Sequence, residues 1–230
     1  MRPTWLITLL ALLPLSGACA EPPLDFTAIL KDVQMLRKVD NHLTLVLWMP
    51  EQYWKASLQS NDRLTDKAKA EFLEAMRPYT MVAVVDANVG FGGAFTFSSS
   101  DTVREIVKIE DSAGNLYAPL DPQTVGGSMK NLLQAMRPIL ANAMGALGSN
   151  LEFMLFPTDS KSGGRIADPT REGFFTVHVS DLRFRYRLPL GSLLPPMVDT
   201  RTGDTFPGNY HFDPFTGGRL TPAPSSADSK

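Results

Sequence analysis

The sequence predicts an α+β fold, with helices packed on a mainly antiparallel sheet. Some segments repeat apolar residues every three or four positions, as helices do, whereas others are short apolar or alternating runs typical of strands. The two kinds of segment do not follow the strict strand–helix alternation of a doubly wound sheet. Hydrophobic residues make up 43% of the 230 residues and charged residues 20%, which suits a globular chain with one sizeable core.

The first part of the globular region mixes helices with one buried strand. The predicted elements are a helix over residues 24–38, a strand over 43–48, a short helix over 50–58 and a helix from Thr65 up to Pro78. Leu36 is the last residue on the apolar face of the first helix. Pro50 suits the first turn of a helix, and the Thr65 side chain can cap one.

A glycine-rich turn separates two strands in the middle of the chain. We expect a strand over 80–86, a turn at 90–93, a second strand over 94–98 and a third through 103–109. Residues 90–93 lack the glycine spacing and the following helix of a nucleotide-binding loop. A hairpin turn is therefore the better interpretation of these glycines.

The remaining body is one long helix and four strands. The pattern predicts a turn over 111–115, a return strand at 116–117, a helix over 122–147, and strands over 151–156, 174–179 and 184–188. Pro138 lacks an amide hydrogen and should kink or divide the helix near Ala135. Arg183, Arg185 and Arg187 form a basic stripe on one strand face. This stripe suits anionic lipid or lipopolysaccharide, although solvated charges are ordinary on an edge strand.

The first twenty residues have the composition of a bacterial export signal. Arg2 precedes an apolar run from Trp5 to about Leu15, and small residues end the segment. The run is well short of the roughly 20 residues that a membrane crossing needs. The expected organisation is an export signal over 1–20, an α+β domain over 24–190, a C-terminal extension over 191–220 and a disordered tail over 221–230.

Cys19, the single cysteine, leaves two processing routes open. Cleavage after Ala20 would discard it, whereas lipidation at a lipobox-like Leu15-Ser16-Gly17-Ala18-Cys19 would make it an acylated first residue. Either route leaves a mature chain without a disulfide, so burial alone must stabilise it. The expected location is the bacterial envelope, either periplasmic or lipid-anchored, with membrane association only through that anchor.

The C-terminal extension contains a short repeat. Asp199-Thr200-Arg201-Thr202-Gly203 and Asp213-Pro214-Phe215-Thr216-Gly217 share the form Asp-x-x-Thr-Gly. Residues 199–217 resemble the knuckle pair of a zinc ribbon whose cysteines are replaced by Asp and Thr. The four thiolates of such a ribbon would bind one zinc ion, but Thr is not a zinc ligand of any strength.

We therefore expect metal-free turns in which Asp and Thr side chains accept hydrogen bonds from backbone amides. The prediction includes no metal and no cofactor. The candidates for an oxygen-rich Ca²⁺ or Mg²⁺ site, should one form, are Asp199, Asp204 and Asp213.

No catalytic motif stands out, which favours a non-enzymatic protein. The sequence has no Gly-x-Ser-x-Gly elbow and no His-Glu-x-x-His pair. His42 precedes a predicted strand and His178 lies inside one, where a structural role is the simpler interpretation. An envelope-polymer hydrolase that uses Glu51 or His178 is the alternative.

The best sequence candidate for a ligand site is an aromatic cluster formed by Trp48, Glu51, Tyr53 and Trp54. The rings would line a groove for a glycan, peptide or apolar ligand, with Glu51 as the polar partner. In the simpler interpretation, Trp48 closes a core strand and Trp54 packs its helix on the sheet.

The predicted function is a periplasm-facing binding or assembly accessory role in the bacterial envelope. A glycan- or lipid-binding module built on Trp48 and Trp54 is a further alternative to the hydrolase. The expected partner is an envelope protein, a glycan or a lipid. Nucleic acid is not expected, because the net charge of −2 shows no basic excess.

Overall fold

A computed structural model describes residues 23–59 and 61–224 and confirms the α+β class. The export signal and Cys19 lie outside the described residues. The helices are α1 (Phe26–Val33), α2 (Glu51–Gln59), α3 (Asp66–Met76), α4 (Ser100–Ile106), α5 (Gly127–Met144) and α6 (Ala146–Ser149). The strands are β1 (Gln34–Val39), β2 (His42–Trp48), β3 (Tyr79–Val89), β4 (Phe95–Phe97), β5 (Val107–Glu110), β6 (Leu116–Tyr117), β7 (Glu152–Pro157), β8 (Gly173–Val179), β9 (Leu182–Leu188), β10 (Met197–Val198), β11 (Thr205–Phe206) and β12 (Thr221–Pro222).

Two antiparallel sheets form the body of the protein. In sheet A, β3 has β2 and then β1 on one side, while β7 and β4 share its other side. Sheet B has the strand order β6–β5–β8–β9. A small third sheet, β11–β10–β12, lies in the C-terminal extension. The predicted antiparallel arrangement is thereby confirmed.

Sheets A and B pack face to face through aromatic side chains. The Trp48 ring in sheet A is 1% exposed. Its centroid lies 4.7 Å from that of Phe175 and 5.7 Å from that of Tyr186, both in sheet B. The Tyr186 hydroxyl donates a hydrogen bond to the Val46 carbonyl at 3.4 Å. Because side chains alternate along β2, His42 and Thr44 point to the same side of sheet A as Trp48, toward sheet B.

Helices cover the opposite face of sheet A. Phe153 of β7 points away from Trp48, and the Arg137 guanidinium of α5 lies 5.7 Å from the Phe153 ring centroid. The Thr65 side chain caps α3 by accepting a hydrogen bond from the Ala68 amide, as the sequence predicts. None of the described helices is both long and apolar enough to span a lipid bilayer.

Several predicted boundaries are wrong for identifiable reasons. Helix α1 ends at Val33, and Leu36 lies instead in the edge strand β1, 57% exposed. Hydrogen bonding to β2 decides the conformation there, over a local periodicity that also fits a helix. Residues 103–106 belong to α4, because Ser99 caps a helix by accepting a hydrogen bond from the Thr102 amide.

Two further differences concern a helix and the tail. Helix α5 begins at Gly127 and passes through Pro138 without a break. The interruption comes at Gly145, whose φ of 59° favours glycine. Thr221 and Pro222, the first residues of the predicted tail, pair with β10. Residues 225–230 lie outside the described part of the chain.

Candidate functional site

A cleft opens at one end of the interface between the two sheets. Its walls are Val39, His42, Asp86 and Asn88 of sheet A together with Val179 and Leu182 of sheet B. The β1–β2 and β8–β9 hairpin turns form its rim. The cleft has a volume of about 620 Å³, which is within the range of ligand-binding sites. We refer to it as the His42 cleft.

Strand register brings four polar side chains together at this cleft: His42, Asp86 and Asn88 on its wall, and the fully buried Thr44 behind them. His42 lies opposite Asn88, and Thr44 lies opposite Asp86, in the β2–β3 pair. Directly opposed residues in an antiparallel pair point to the same side of the sheet. The four therefore form a continuous polar strip at the open end of an otherwise apolar interface.

Asp86 is the centre of this strip and is only 5% exposed. Its Oδ1 accepts hydrogen bonds from His42 Nε2 at 2.7 Å and from the Thr44 hydroxyl at 3.1 Å. Its Oδ2 accepts one from the Ser98 hydroxyl at 2.6 Å. A buried carboxylate needs such donors, because water no longer solvates it.

His42 is held at both ring nitrogens. Nε2 bonds to Asp86, and Nδ1 lies 3.1 Å from the side-chain oxygen of Asn88. The pKa of His42 is raised above its usual 6.5, mainly by the hydrogen bond to Asn88. Burial acts against this rise, while the hydrogen bond and the negative charge of Asp86 add to it. The arrangement favours the imidazolium form, in which both nitrogens donate.

Both rim turns contain a residue with an unusual backbone conformation. Asp40 and Ser180 each have a φ of 51°, and within the described residues they are the two non-glycine residues with positive φ. This region costs non-glycine residues roughly 1–2 kcal/mol, with Asp more tolerant than Ser. Each is the first residue of a two-residue hairpin turn, and the turns favoured there require positive φ at this position, so the strain belongs to the hairpins themselves.

The cleft does not have the geometry of a serine-hydrolase triad. In a triad, the serine hydroxyl hydrogen-bonds to the histidine, and the aspartate bonds to its other nitrogen. Here Ser98 and His42 both bond to the same Asp86 carboxylate, and the second nitrogen of His42 faces Asn88. The arrangement fixes side chains in place and leaves no serine next to a free imidazole nitrogen.

The predicted aromatic cluster lies elsewhere and is largely buried. Trp48 is part of the core between the sheets. The Trp54 ring packs against Tyr53 and Phe72, with centroid distances of 4.9 and 5.2 Å. Burial raises the pKa of the Tyr53 hydroxyl. These contacts occupy the rings that a glycan would need for stacking.

A narrow cavity does lie beside Trp48, Glu51 and Trp54. Its volume is about 40 Å³, enough for a few water molecules but far below that of a ligand pocket. Glu51 forms an ion pair with Lys55 at 2.7 Å. The indole nitrogen of Trp54 is buried without a hydrogen-bond partner. The aromatic ligand site stays a prediction.

His178, the other residue named for hydrolase activity, lies on the outer face of sheet B. Its Nε2 bonds to Glu110 Oε2 at 2.6 Å. Glu51 lines the cavity beside α2, whereas His178 lies in β8, so the two candidate catalytic residues occupy different sites. A hydrolase would have to use one of them without the other.

The two Asp-x-x-Thr-Gly turns have matching hydrogen bonds. Asp199 Oδ1 accepts from the Arg201 amide at 2.8 Å, and Asp213 Oδ1 accepts from the Phe215 amide at 2.7 Å. The backbone of the closing glycine also donates to each Asp carbonyl, as for Gly203 to Asp199. The resemblance to a zinc ribbon stays a prediction.

The carboxylates of the extension differ in environment. Asp199 and Asp213 are buried, whereas Asp204 is exposed. Hydrogen bonds from the Phe215 amide and from Thr216 lower the pKa of Asp213. Over residues 23–59 and 61–224, no group of three or more His, Cys, Asp or Glu side chains is placed to hold a metal ion.

Comparisons with protein-family models, with curated proteins and with solved structures give no match to this chain.

Sequence reasoning missed the His42 cleft, although the sequence contains a signal for it. His42-Leu43-Thr44 begins one apolar strand, and Asp86-Ala87-Asn88 ends the next. Polar residues at alternate positions point to one face. If the two strands are paired, these polar pairs meet at one end of the sheet.

Proposed function

We propose that this chain is a non-enzymatic accessory protein of the bacterial envelope, exported and facing the periplasm, where it binds or helps to assemble another envelope protein. The export signal predicted over residues 1–20 supports the location. The His42 cleft supports the binding role. Two exposed rim carboxylates, Asp40 and Asp181, give the cleft an acidic entrance and favour a partner segment with basic or amide side chains.

The observation that carries this proposal is the hydrogen bonding of His42. A general base needs a lone pair within reach of the proton it abstracts. Both nitrogens of His42 face oxygen acceptors instead, and the nearby Ser98 hydroxyl is committed to Asp86. A fixed, charged and hydrogen-bonded wall of this kind suits recognition rather than proton transfer.

Exposed apolar side chains beside the cleft add to the support. Phe91 is fully exposed at the tip of the β3–β4 loop, and Val39 and Phe95 are also exposed. This loop follows directly from Asn88 and Val89, and the Val89 amide donates to the Asn41 carbonyl in the rim. Val39, Val179 and Leu182 also line the cleft, so apolar surface continues from the cleft to this loop, and apolar side chains form the centre of protein–protein interfaces.

Site-specific photo-crosslinking in the native host tests the proposal. A photoreactive residue replaces Asn41, which is exposed at the rim, or, as a control, Lys67 on the exposed side of α3. We expect one discrete adduct from position 41, identified by mass spectrometry as an envelope protein, and none from position 67. Asp40→Asn, which keeps the side-chain shape but removes the charge, should reduce the adduct. Equal yields from both positions, or no adduct from position 41, would overturn the proposal.

A further inference from the structure

The outer face of sheet B carries four exposed cations, which we call the cationic face. They are Lys108 of β5 and Arg183, Arg185 and Arg187 of β9. Within the described part of the chain, none of the four forms a salt bridge with a carboxylate. Four such charges on one sheet face are free to meet an external anion.

The strand register explains why the charges share one side. Lys108 lies opposite His178, which in turn lies opposite Arg183. The next rows pair Thr176 with Arg185 and Phe174 with Arg187. The intervening residues of β9, Phe184 and Tyr186, point into the core and are buried. The three arginines therefore form a row with a repeat of about 7 Å.

Few acidic groups oppose this charge. Glu110 is the carboxylate on the face itself, and it is bonded to His178. Glu172 and Asp181 lie near the two ends of the β8–β9 hairpin. The whole chain has a net charge of −2, so the cations are concentrated locally on a protein that is slightly acidic overall. Such separation of charge orients a protein on an anionic surface.

The surroundings of the arginines favour anion binding. The Arg185 guanidinium lies 3.7 Å from the centroid of the Phe174 ring, which holds its plane against the sheet. An open hollow of about 750 Å³ begins beside Arg185 and Arg187 and extends to His211, with Glu172 also in its lining. Guanidinium groups bind phosphate oxygens well because their donors match the geometry of the anion.

We propose that the cationic face binds the phosphate headgroups of an anionic lipid membrane. An acidic protein is the competing partner, but stable protein interfaces have an apolar centre. The centre of this face is instead the buried Thr176, which lies between Glu110 and Arg185 in the strand register. The Phe174 ring on this face is half-buried and covered by the Arg185 guanidinium, so the face presents cations rather than an apolar anchor and suits a surface with repeated phosphates. The face is separate from the walls of the His42 cleft and does not depend on the proposed function.

Vesicle co-sedimentation of the full chain tests this inference. The probes are vesicles of neutral phosphatidylcholine and vesicles that also contain about 30 mol% phosphatidylglycerol, whose negative surface potential attracts cations. We expect binding to the anionic vesicles that falls at high salt. An acyl chain on Cys19 would anchor the protein to both kinds of vesicle alike, so the difference between them isolates the effect of charge.

A matched pair of double variants locates the binding surface. Arg183→Gln/Arg187→Gln removes two charges from the cationic face, whereas Arg63→Gln/Lys67→Gln removes two exposed charges around the start of α3. Each cation near an anionic surface contributes about fivefold to partitioning, so the first variant should bind at least tenfold more weakly and the second normally.

Three results would overturn the inference: no preference for anionic vesicles, equal losses in both variants, or binding to soluble polyglutamate but not to vesicles. The crosslink from position 41 should persist in Arg183→Gln/Arg187→Gln. Loss of vesicle binding and loss of the crosslink are therefore separate outcomes, one for this inference and one for the proposed function.

Discussion

Nε2 of His42 lies 2.7 Å from Oδ1 of Asp86, and this contact joins the exposed rim of the cleft to a carboxylate inside the sheet interface. The ion pair links protonation of His42 to the stability of the fold. His42 is partly exposed to solvent whereas Asp86 is buried. A change of pH can therefore change the protonation of the pair through His42.

The raised pKa of His42 predicts a pH-dependent stability. A pKa that is higher in the folded than in the unfolded state adds stability below about pH 6.5, and this stability is lost as pH rises through the folded value. The free energy of unfolding, measured by urea denaturation from pH 5 to 9, should therefore contain a component that decreases as pH rises. His42→Asn should remove that component of the profile; an unchanged profile would contradict the ion pair.

Asp86→Ala should be strongly destabilising. The substitution leaves the buried Thr44 hydroxyl and the Ser98 hydroxyl without their acceptor and removes the partner of His42. We expect a loss of about 2–3 kcal/mol in the free energy of unfolding. Asp62→Ala, at an exposed position, is the control and should stay within about 0.5 kcal/mol. Equal losses in Asp86→Ala and Asp62→Ala would show that the hydrogen bonds to Asp86 do not stabilise the fold.

Asp111 should stabilise the fold at neutral pH and lose that effect in acid. Burial raises its pKa, but hydrogen bonds from Ser160, Asn115 and Tyr117 outweigh burial and hold the pKa well below the usual range. A depressed pKa gives stability above about pH 4 that disappears as pH falls through the folded value. Urea denaturation at pH 7 and pH 3 should show Asp111→Asn to be destabilising at pH 7, with a smaller difference from the natural chain at pH 3.

Ser180→Gly should stabilise the protein. Glycine adopts the φ of 51° without steric cost, which outweighs its larger entropy in the unfolded chain. The expected gain is about 0.5–1 kcal/mol in the free energy of unfolding. Ser180→Ala removes the same hydroxyl but keeps the strained backbone, and it should give no gain. A stabilising effect of Ser180→Ala would assign the cost to the side chain instead.

Soluble glycans should not change the tryptophan fluorescence of the folded chain. Trp48 lies in the core, and the cavity beside Trp54 holds only about 40 Å³. Titration with envelope glycan fragments, read at the emission maximum, should give a flat response. A saturable shift that is lost in Trp54→Phe would instead support the predicted aromatic ligand site.

Local sequence patterns were sufficient for most of the fold. The apolar runs around Trp48 and Val84 predicted strands, and Thr65 predicted a helix start. The sequence patterns gave the wrong element where a helical and a strand periodicity fit the same residues. Leu36 fits both a helical face and an alternating strand, and pairing with β2 decides between them. Val103 and Ile106 likewise fit a predicted strand, but the Ser99 cap shows that they belong to a helix.

The candidate site was harder to predict than the fold. Trp48 and Trp54 were predicted to line a ligand site because tryptophan is rare and often binds ligands. Large aromatic rings are equally suited to fill a hydrophobic core, which is where these two lie. His42 and Asp86 are 44 positions apart, and only strand pairing and the facing of sheet A toward sheet B make them one site. Neither relationship can be read from spacing along the chain.

The protonation of the His42 ring nitrogens tests the central claim most directly. Nitrogen-15 NMR of the ring across pH 5–9, assigned with His42→Asn, reports whether each nitrogen carries a proton. The binding account predicts that both nitrogens are protonated up to a midpoint above pH 6.5, as the contacts to Asp86 and Asn88 require. A midpoint below 6.5, with a free lone pair on Nδ1 at neutral pH, would contradict it and give the cleft the base that a hydrolase needs.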